Sequence, residues 1–157
     1  MQTLISYPTW ITFVLLILPI PLGLFSDIVG VIFGAIVYPS WLLLIALSTR
    51  KFVVMSSRFS IPVFVLRLVL CIFYIISISS IFKYTIPNYL IPVHIVIMFL
   101  FATCMATCAK SIVNAETQKE NSFVDSLGTF ILIWFYPIGV WFIQPRLKTL
   151  CVINTGT

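Results

Sequence analysis

The chain has 157 residues, of which 61% are hydrophobic and 8% charged, with a formal net charge of +5 and a mean hydropathy of +1.18. A soluble domain carries about 25% charged residues, so this composition excludes a water-covered globule. It reads as one polytopic all-α membrane domain over residues 1–157. The basic residues sit at the ends of apolar runs, where they face lipid headgroups. The positive charge therefore implies no direct nucleic-acid contact.

A spanning helix needs about 20 mostly apolar residues, and five stretches come close. The first runs from Trp10 to Phe25. It lacks a positive leader region and a small-residue cleavage site, so it is expected to be a retained first membrane segment. Pro19 and Pro21 are expected to mark its last turn, with Gly23 easing the bend into the second segment. The second runs from Ile28 to Leu47, only Ser26 and Asp27 intervening, which predicts a tight helical hairpin. Pro39 must kink this second segment or be accommodated by a neighbour. Gly30 and Gly34 form a G-x-x-x-G spacing there, suited to close helix approach within or between chains.

The third segment runs from Ile61 to Phe82 and the fourth from Tyr89 to Ala109. Pro62 and Pro92 fall in first turns, where a missing N–H is harmless. Ala102 and Ala106 give the fourth segment a small-residue face, flanked by Thr103 and Thr107. A polar loop is expected from Lys110 to Ser122, with Ser122 and Asp125 as an N-terminal cap for the fifth segment. That segment, Phe123 to Ile143, contains Pro137 and Gly139 and ends in Gln144, Pro145, Arg146 and Lys148. It either crosses or turns back. Trp10, Tyr38, Trp41, Tyr84, Tyr89, Trp134, Tyr136 and Trp141 read as interfacial belts.

Arg50, Lys51 and Arg58 form the densest positive cluster, which places their loop in the cytoplasm and Asp27 outside. If the fifth segment crosses, the loop cations divide five inside to three outside; if it turns back, seven to one. The charge rule favours the second arrangement, with Arg146 and Lys148 beside Arg50, Lys51 and Arg58. At least four crossings are expected.

Little in the chain carries chemistry. Arg67 lies roughly 9 Å inside the third segment at 1.5 Å per residue, within snorkelling distance of the headgroups. His94 sits near the outer end of the fourth segment with no partner evident in the sequence. Cys71, Cys104, Cys108 and Cys151 read as packing residues, since Cys104 and Cys108 are not spaced as a redox pair and one histidine cannot complete a metal set. No nucleophile with a base, no carboxylate pair and no metal cluster is present, so an enzyme is not expected, nor any cofactor.

Size, four or so spans and a basic cytoplasmic side give this chain an architecture that resembles the membrane components of bacterial defence operons, such as the membrane subunit of the Kiwa antiphage system. No diagnostic motif accompanies the likeness, so no functional residue is carried over. The resemblance implies a bacterial inner-membrane protein whose partner is a cytoplasmic effector and whose signal is a perturbed membrane. The residues themselves suggest a non-catalytic subunit that packs through Gly30, Gly34, Ala102 and Ala106 into a homo-oligomer. It presents Arg50, Lys51, Arg58, Arg146 and Lys148 to a soluble protein or to lipid. A small oligomeric channel or carrier is the alternative, with Ser77, Ser79 and Ser80 as candidate pore residues.

Overall fold

The computed structural model describes residues 8–49, 60–81 and 88–153, and all elements among them are helical. In chain order these are α1 (Thr9–Ile17), α2 (Pro19–Phe25), α3 (Asp27–Thr49), α4 (Ile61–Ile81), α5 (Ile91–Thr117), α6 (Leu127–Trp134) and α7 (Tyr136–Ile153). Short 3-10 turns, Asn88–Leu90 and Val124–Ser126, lead into α5 and α6. Three regions are long and apolar enough to cross a membrane: Val29–Thr49, Ile61–Ile78 and Asn88–Thr117. Their large side chains are widely exposed, Phe73 at 70% and Phe99 at 69%, for example. A water-soluble monomer does not display so broad an apolar surface, whereas lipid covers it without cost. The chain is a helical membrane protein.

Cross-helix contacts fix the layout. Cys71 and Tyr74 of α4 meet Ile97 and His94 of α5, so these two helices are antiparallel. Tyr38, Leu42 and Thr49 of α3 meet Met105, Cys108 and Ser111 of α5, so those two are parallel. The packed centre contains Leu42, Ile45, Cys108, Ile112, Ile133 and Ile143, each fully buried. In lipid such cores are held by van der Waals packing and hydrogen bonds, since burial from lipid gives no hydrophobic gain.

The first segment kinks earlier than its prolines suggest. Leu18 keeps helical angles (φ −48°, ψ −36°), and its N–H still bonds the Val14 carbonyl at 2.9 Å. Pro19 opens α2 instead of ending the segment, because proline fits a first turn. Ser26 alone then reverses the chain, in extended conformation (φ −158°, ψ 116°). A Cβ on Gly30 would lie 2.4 Å from the Gly23 Cα, so this reversal requires hydrogen in place of a side chain at Gly30.

A second one-residue reversal lies at Phe135 (φ −89°, ψ 56°), between α6 and α7. It falls two residues before Pro137, which occupies the first turn of α7. A Cβ on Gly139 would lie 1.7 Å from the Leu132 carbonyl oxygen, so α7 folds back directly onto α6. The Ile133 carbonyl at the tip accepts the Tyr38 hydroxyl at 2.6 Å. Tyr38 is the middle residue of α3, so the tip lies level with the centre of a spanning helix. Pro145 does not stop α7, which continues to Ile153.

Two further expectations need correction. The region Lys110–Thr117 is not loop but the last two turns of α5, because Ser111, Ile112, Asn114 and Ala115 bury against the bundle. Tyr38 and Trp41 are not belt residues. Trp41 is 4% exposed, and the Tyr38 ring packs on Tyr136, Phe101 and Trp41 at 5.0, 5.6 and 5.9 Å.

Candidate functional site

Polar groups gather where α3 and α5 end, α6 begins and α7 returns. Helix α5 outlasts the apolar sequence because its last turns find hydrogen-bond partners. The Thr49 hydroxyl, bonded back to Ile45, lies 2.9 Å from Ser111, whose own hydroxyl bonds the Cys108 carbonyl at 2.8 Å. Gln118 then terminates the helix in the left-handed region (φ 54°), and its side-chain amide donates to the Ala115 carbonyl. The Asn121 backbone N–H donates to the Asn114 side chain at 2.8 Å and its amide to Thr117, folding the connector back on α5.

The 3-10 turn that leads into α6 is held by Ser122 and Asp125. The Ser122 N–H and hydroxyl both donate to Oδ2 of Asp125, at 2.9 and 2.8 Å, and Asp125 N–H approaches Ser122 Oγ at 3.4 Å. This reciprocal pair is a capping box. The hydroxyl bond, and then the backbone bond, hold the Asp125 carboxyl below its ordinary range.

Arg146 joins three helices. Its guanidinium grips both carboxylate oxygens of Glu116 on α5 at 2.5 Å and donates to Thr129 of α6 at 3.0 Å. Both charged side chains are 30% exposed. Such a bidentate pair adds geometric specificity to charge attraction, while its partial exposure keeps its contribution near 1 kcal/mol or below. Because Arg146 is on the returning helix, this clamp ties the last segment to the α5 end. The sequence places Glu116 in a polar connector, and thirty residues of separation conceal its pairing.

The remaining expected residues are more dispersed. Gly30 and Gly34 both face α2 of the same chain, Gly34 toward Pro19, so this face is covered from within. Ala102 and Ala106 are half-buried on α5, and Ala102 packs against the central cluster. Lys148 is half-buried two residues beyond Arg146. Arg50, Lys51 and Arg58 lie outside the described residues, as do Lys83 and Tyr84. Arg67 is half-buried on α4. His94 does have a partner: the Tyr74 hydroxyl lies 3.2 Å from its Nδ1. Cys71, Cys104 and Cys108 are buried free thiols, and the Cys108 thiol donates to the Leu42 carbonyl at 3.4 Å. Among the described residues no cluster has the three donors that a metal ion needs.

The arrangement ties α5, α6 and α7 together at one end of the bundle. Sequence reasoning did not single out Thr129 or Tyr74, and it placed Tyr38 only in an interfacial belt. Of these, Tyr38 alone carried a local sign, its place at the centre of an apolar segment beside Pro39. The chain matches no protein-family model, no curated protein and no solved structure.

Proposed function

We propose that this chain is a non-catalytic membrane subunit that anchors or senses at the bilayer and docks a cytoplasmic protein through the polar end of its bundle. The observation that carries the reading is the Arg146 clamp. It fixes the tail at the end where α3 and α5 finish, on the side of the sequence that leads into Arg50, Lys51 and Arg58. With the tail there, the eight cations other than Arg67 divide seven to one, the asymmetry expected of a cytoplasmic face.

In this reading α3, α4 and α5 cross, and the kinked α1–α2 pair supplies a fourth crossing. It is 17 residues from Thr9 to Phe25, about 25 Å at 1.5 Å per residue. The α6–α7 hairpin re-enters from the cytoplasmic side, and the Asp27 hairpin faces out. Copies associate along the Ala102–Ala106 edge of α5, since Gly30 and Gly34 are already covered. The location is a bacterial inner membrane, and the process, by architectural resemblance, is antiphage defence.

A reporter fused after Thr157 tests the topology: cytoplasmic fluorescence agrees with it, and periplasmic phosphatase activity refutes it. Co-purification tests docking. Lys148→Glu should reduce recovery of a soluble partner, whereas exchanging the clamp charges (Arg146→Glu with Glu116→Arg) should keep the fold. Full recovery with Lys148→Glu removes the tail from the docking face.

A second reading, a small channel or carrier, has one observation in its favour. The two interrupted segments touch, with Phe13 of α1 and Trp141 of α7 at 5.3 Å, and interrupted helices mark transport sites in many carriers. Solute flux in vesicles holding the purified chain alone would establish it.

A further inference from the structure

Arg67 lies six residues into α4, about 9 Å inside the span at 1.5 Å per residue. It continues the line of Cys71 and Tyr74, spaced i, i+4, i+7 on one face of the helix. Cys71 and Tyr74 meet Ile97 and His94 of α5, and the same antiparallel register brings Arg67 level with Phe101. Its guanidinium is close enough to act electrostatically on the buried Cys104 thiol. Arg67 is therefore half-buried in the α4–α5 seam. Its outer neighbours Val63 and Leu70, at i−4 and i+3, are 46% and 45% exposed toward lipid.

No acidic side chain of the same molecule neutralises it. The sequence has four acidic residues, and all are elsewhere. Asp27 starts α3, at the opposite end of the bundle. Glu116 is held by Arg146 and Asp125 by Ser122. Glu120 is exposed in the connector that folds against Asn114 and Thr117, about 20 Å along α5 from the level of Phe101. Segment 50–59, outside the described residues, has three basic residues and no acid. Among the described residues Arg67 has no ion pair and no hydrogen bond. An unpaired charge at this depth is costly, so its counter-ion comes from outside the chain.

We infer that the α4–α5 seam binds one anionic phospholipid, whose phosphate pairs with Arg67. Helical side chains lean toward the N-terminus of their helix, which for α4 is the nearer membrane boundary. The guanidinium therefore points to the headgroups and meets a phosphate near the level of Ile61. Its planar donor fork fits phosphate oxygens in bidentate fashion, and Val63 and Leu70 offer apolar surface to the acyl chains. A carboxylate on a docked soluble protein would have to enter the bilayer to reach it. The three cations that precede α4 in sequence add to the demand for a net negative headgroup. The inference rests on α4 and α5 crossing the membrane, but not on the docked partner or on which face is cytoplasmic.

Native mass spectrometry of the full chain, delipidated in neutral detergent and titrated with lipid, tests this. One phosphatidylglycerol should be retained per chain, saturably and about fivefold more tightly than phosphatidylcholine, the worth of one basic residue at an anionic surface. Arg67→Gln should abolish that preference and Arg67→Lys should keep part of it. Lys119→Gln removes an equal charge from the exposed connector and should leave the preference intact. Equal retention of the two lipids, or an equal loss with Lys119→Gln, overturns the site. Inorganic phosphate, the other source of the same chemistry, should displace the lipid no better than chloride at equal ionic strength. Selective displacement would assign Arg67 to a soluble phosphate instead. Heat unfolding in the same lipid-free detergent checks the fold. Arg67→Gln should unfold no earlier than the native chain, and a lower midpoint would place the partner of Arg67 within the chain and overturn the proposal.

Discussion

The turns at Ser26 and Phe135 have the same backbone design at different depths. In each, one residue separates two helices. Its N–H bonds four residues back (Ser26 to Leu22, 3.0 Å; Phe135 to Ile131, 2.9 Å), and its carbonyl accepts a glycine N–H four residues on (Gly30, 3.0 Å; Gly139, 2.9 Å). That glycine presses on the residue three before the turn, Gly23 in one case and Leu132 in the other. The first turn sits beside Asp27 at the end of a spanning helix, where polar groups can reach headgroups and water. The second lies level with Tyr38 in apolar surroundings, and there a tyrosine hydroxyl meets the Ile133 carbonyl. Tight helix reversal needs a small residue anywhere; inside lipid it also needs a borrowed donor.

The largest effect should come from Gly139→Ala. Its methyl would overlap the Leu132 carbonyl, a backbone atom that cannot step aside, and the loss should be about 3 kcal/mol or more. Unfolding in mixed micelles by SDS titration measures it. Gly128→Ala, in open space, serves as the control and should be neutral or slightly stabilising. An unchanged midpoint for Gly139→Ala would mean the hairpin does not close as described.

Gly30→Ala should cost less, about 1–3 kcal/mol, because its would-be Cβ meets glycine backbone at 2.4 Å rather than an oxygen at 1.7 Å. Equal losses at the two sites would erase the contrast between the turns. Tyr38→Phe keeps the ring stacking and leaves the Ile133 carbonyl bare, a loss of about 1–3 kcal/mol. Ser26→Ala, at the other turn, should cost under about 0.5 kcal/mol, and a reversed ranking would contradict the account of depth.

Smaller again is the clamp that holds the deeper hairpin closed. Glu116→Arg alone should destabilise by about 1 kcal/mol or less, and adding Arg146→Glu should restore most of it. A double variant no better than the single would show that Thr129 or packing secures α7 instead. The last effect concerns pH. The Asp125 carboxyl is held below its ordinary range by Ser122. Its contribution is therefore present above the unfolded-state value and is lost as pH falls through the lower folded value. Ser122→Ala should return the Asp125 titration, followed by carboxyl NMR, toward the ordinary range; no movement would assign the shift to another group.

Much of the scaffold is legible because it depends on local pattern. The apolar run predicts a third segment over residues 61–82, and α4 covers Ile61–Ile81; the single-residue turn at Ser26 reflects how little polar sequence separates two apolar runs. The break near Pro137 is visible, but its position at Phe135 is not, because Pro137 suits a helix start as well as a helix end. The length of α5 is hidden for another reason. Lys110–Thr117 is polar enough to read as loop, and it is helix where Ser111, Ile112, Asn114 and Ala115 bury against the bundle and Thr49, sixty-two residues away, partners Ser111. Arg146–Glu116, Tyr38–Ile133 and Tyr74–His94 are likewise tertiary pairs, and nothing in the neighbouring sequence announces them.

The eight-residue length of α6 has a mechanical consequence. At 1.5 Å per residue it advances about 12 Å, less than half of a hydrocarbon layer of about 30 Å. Trp134, Phe135 and Ile138 at its tip are 47%, 58% and 61% exposed. In the proposed topology, a bilayer holding this hairpin carries two additional helices in one leaflet and none in the other. In that topology the molecule is a wedge, wider on one side of the midplane, and its insertion energy depends on the difference in lateral pressure between the leaflets.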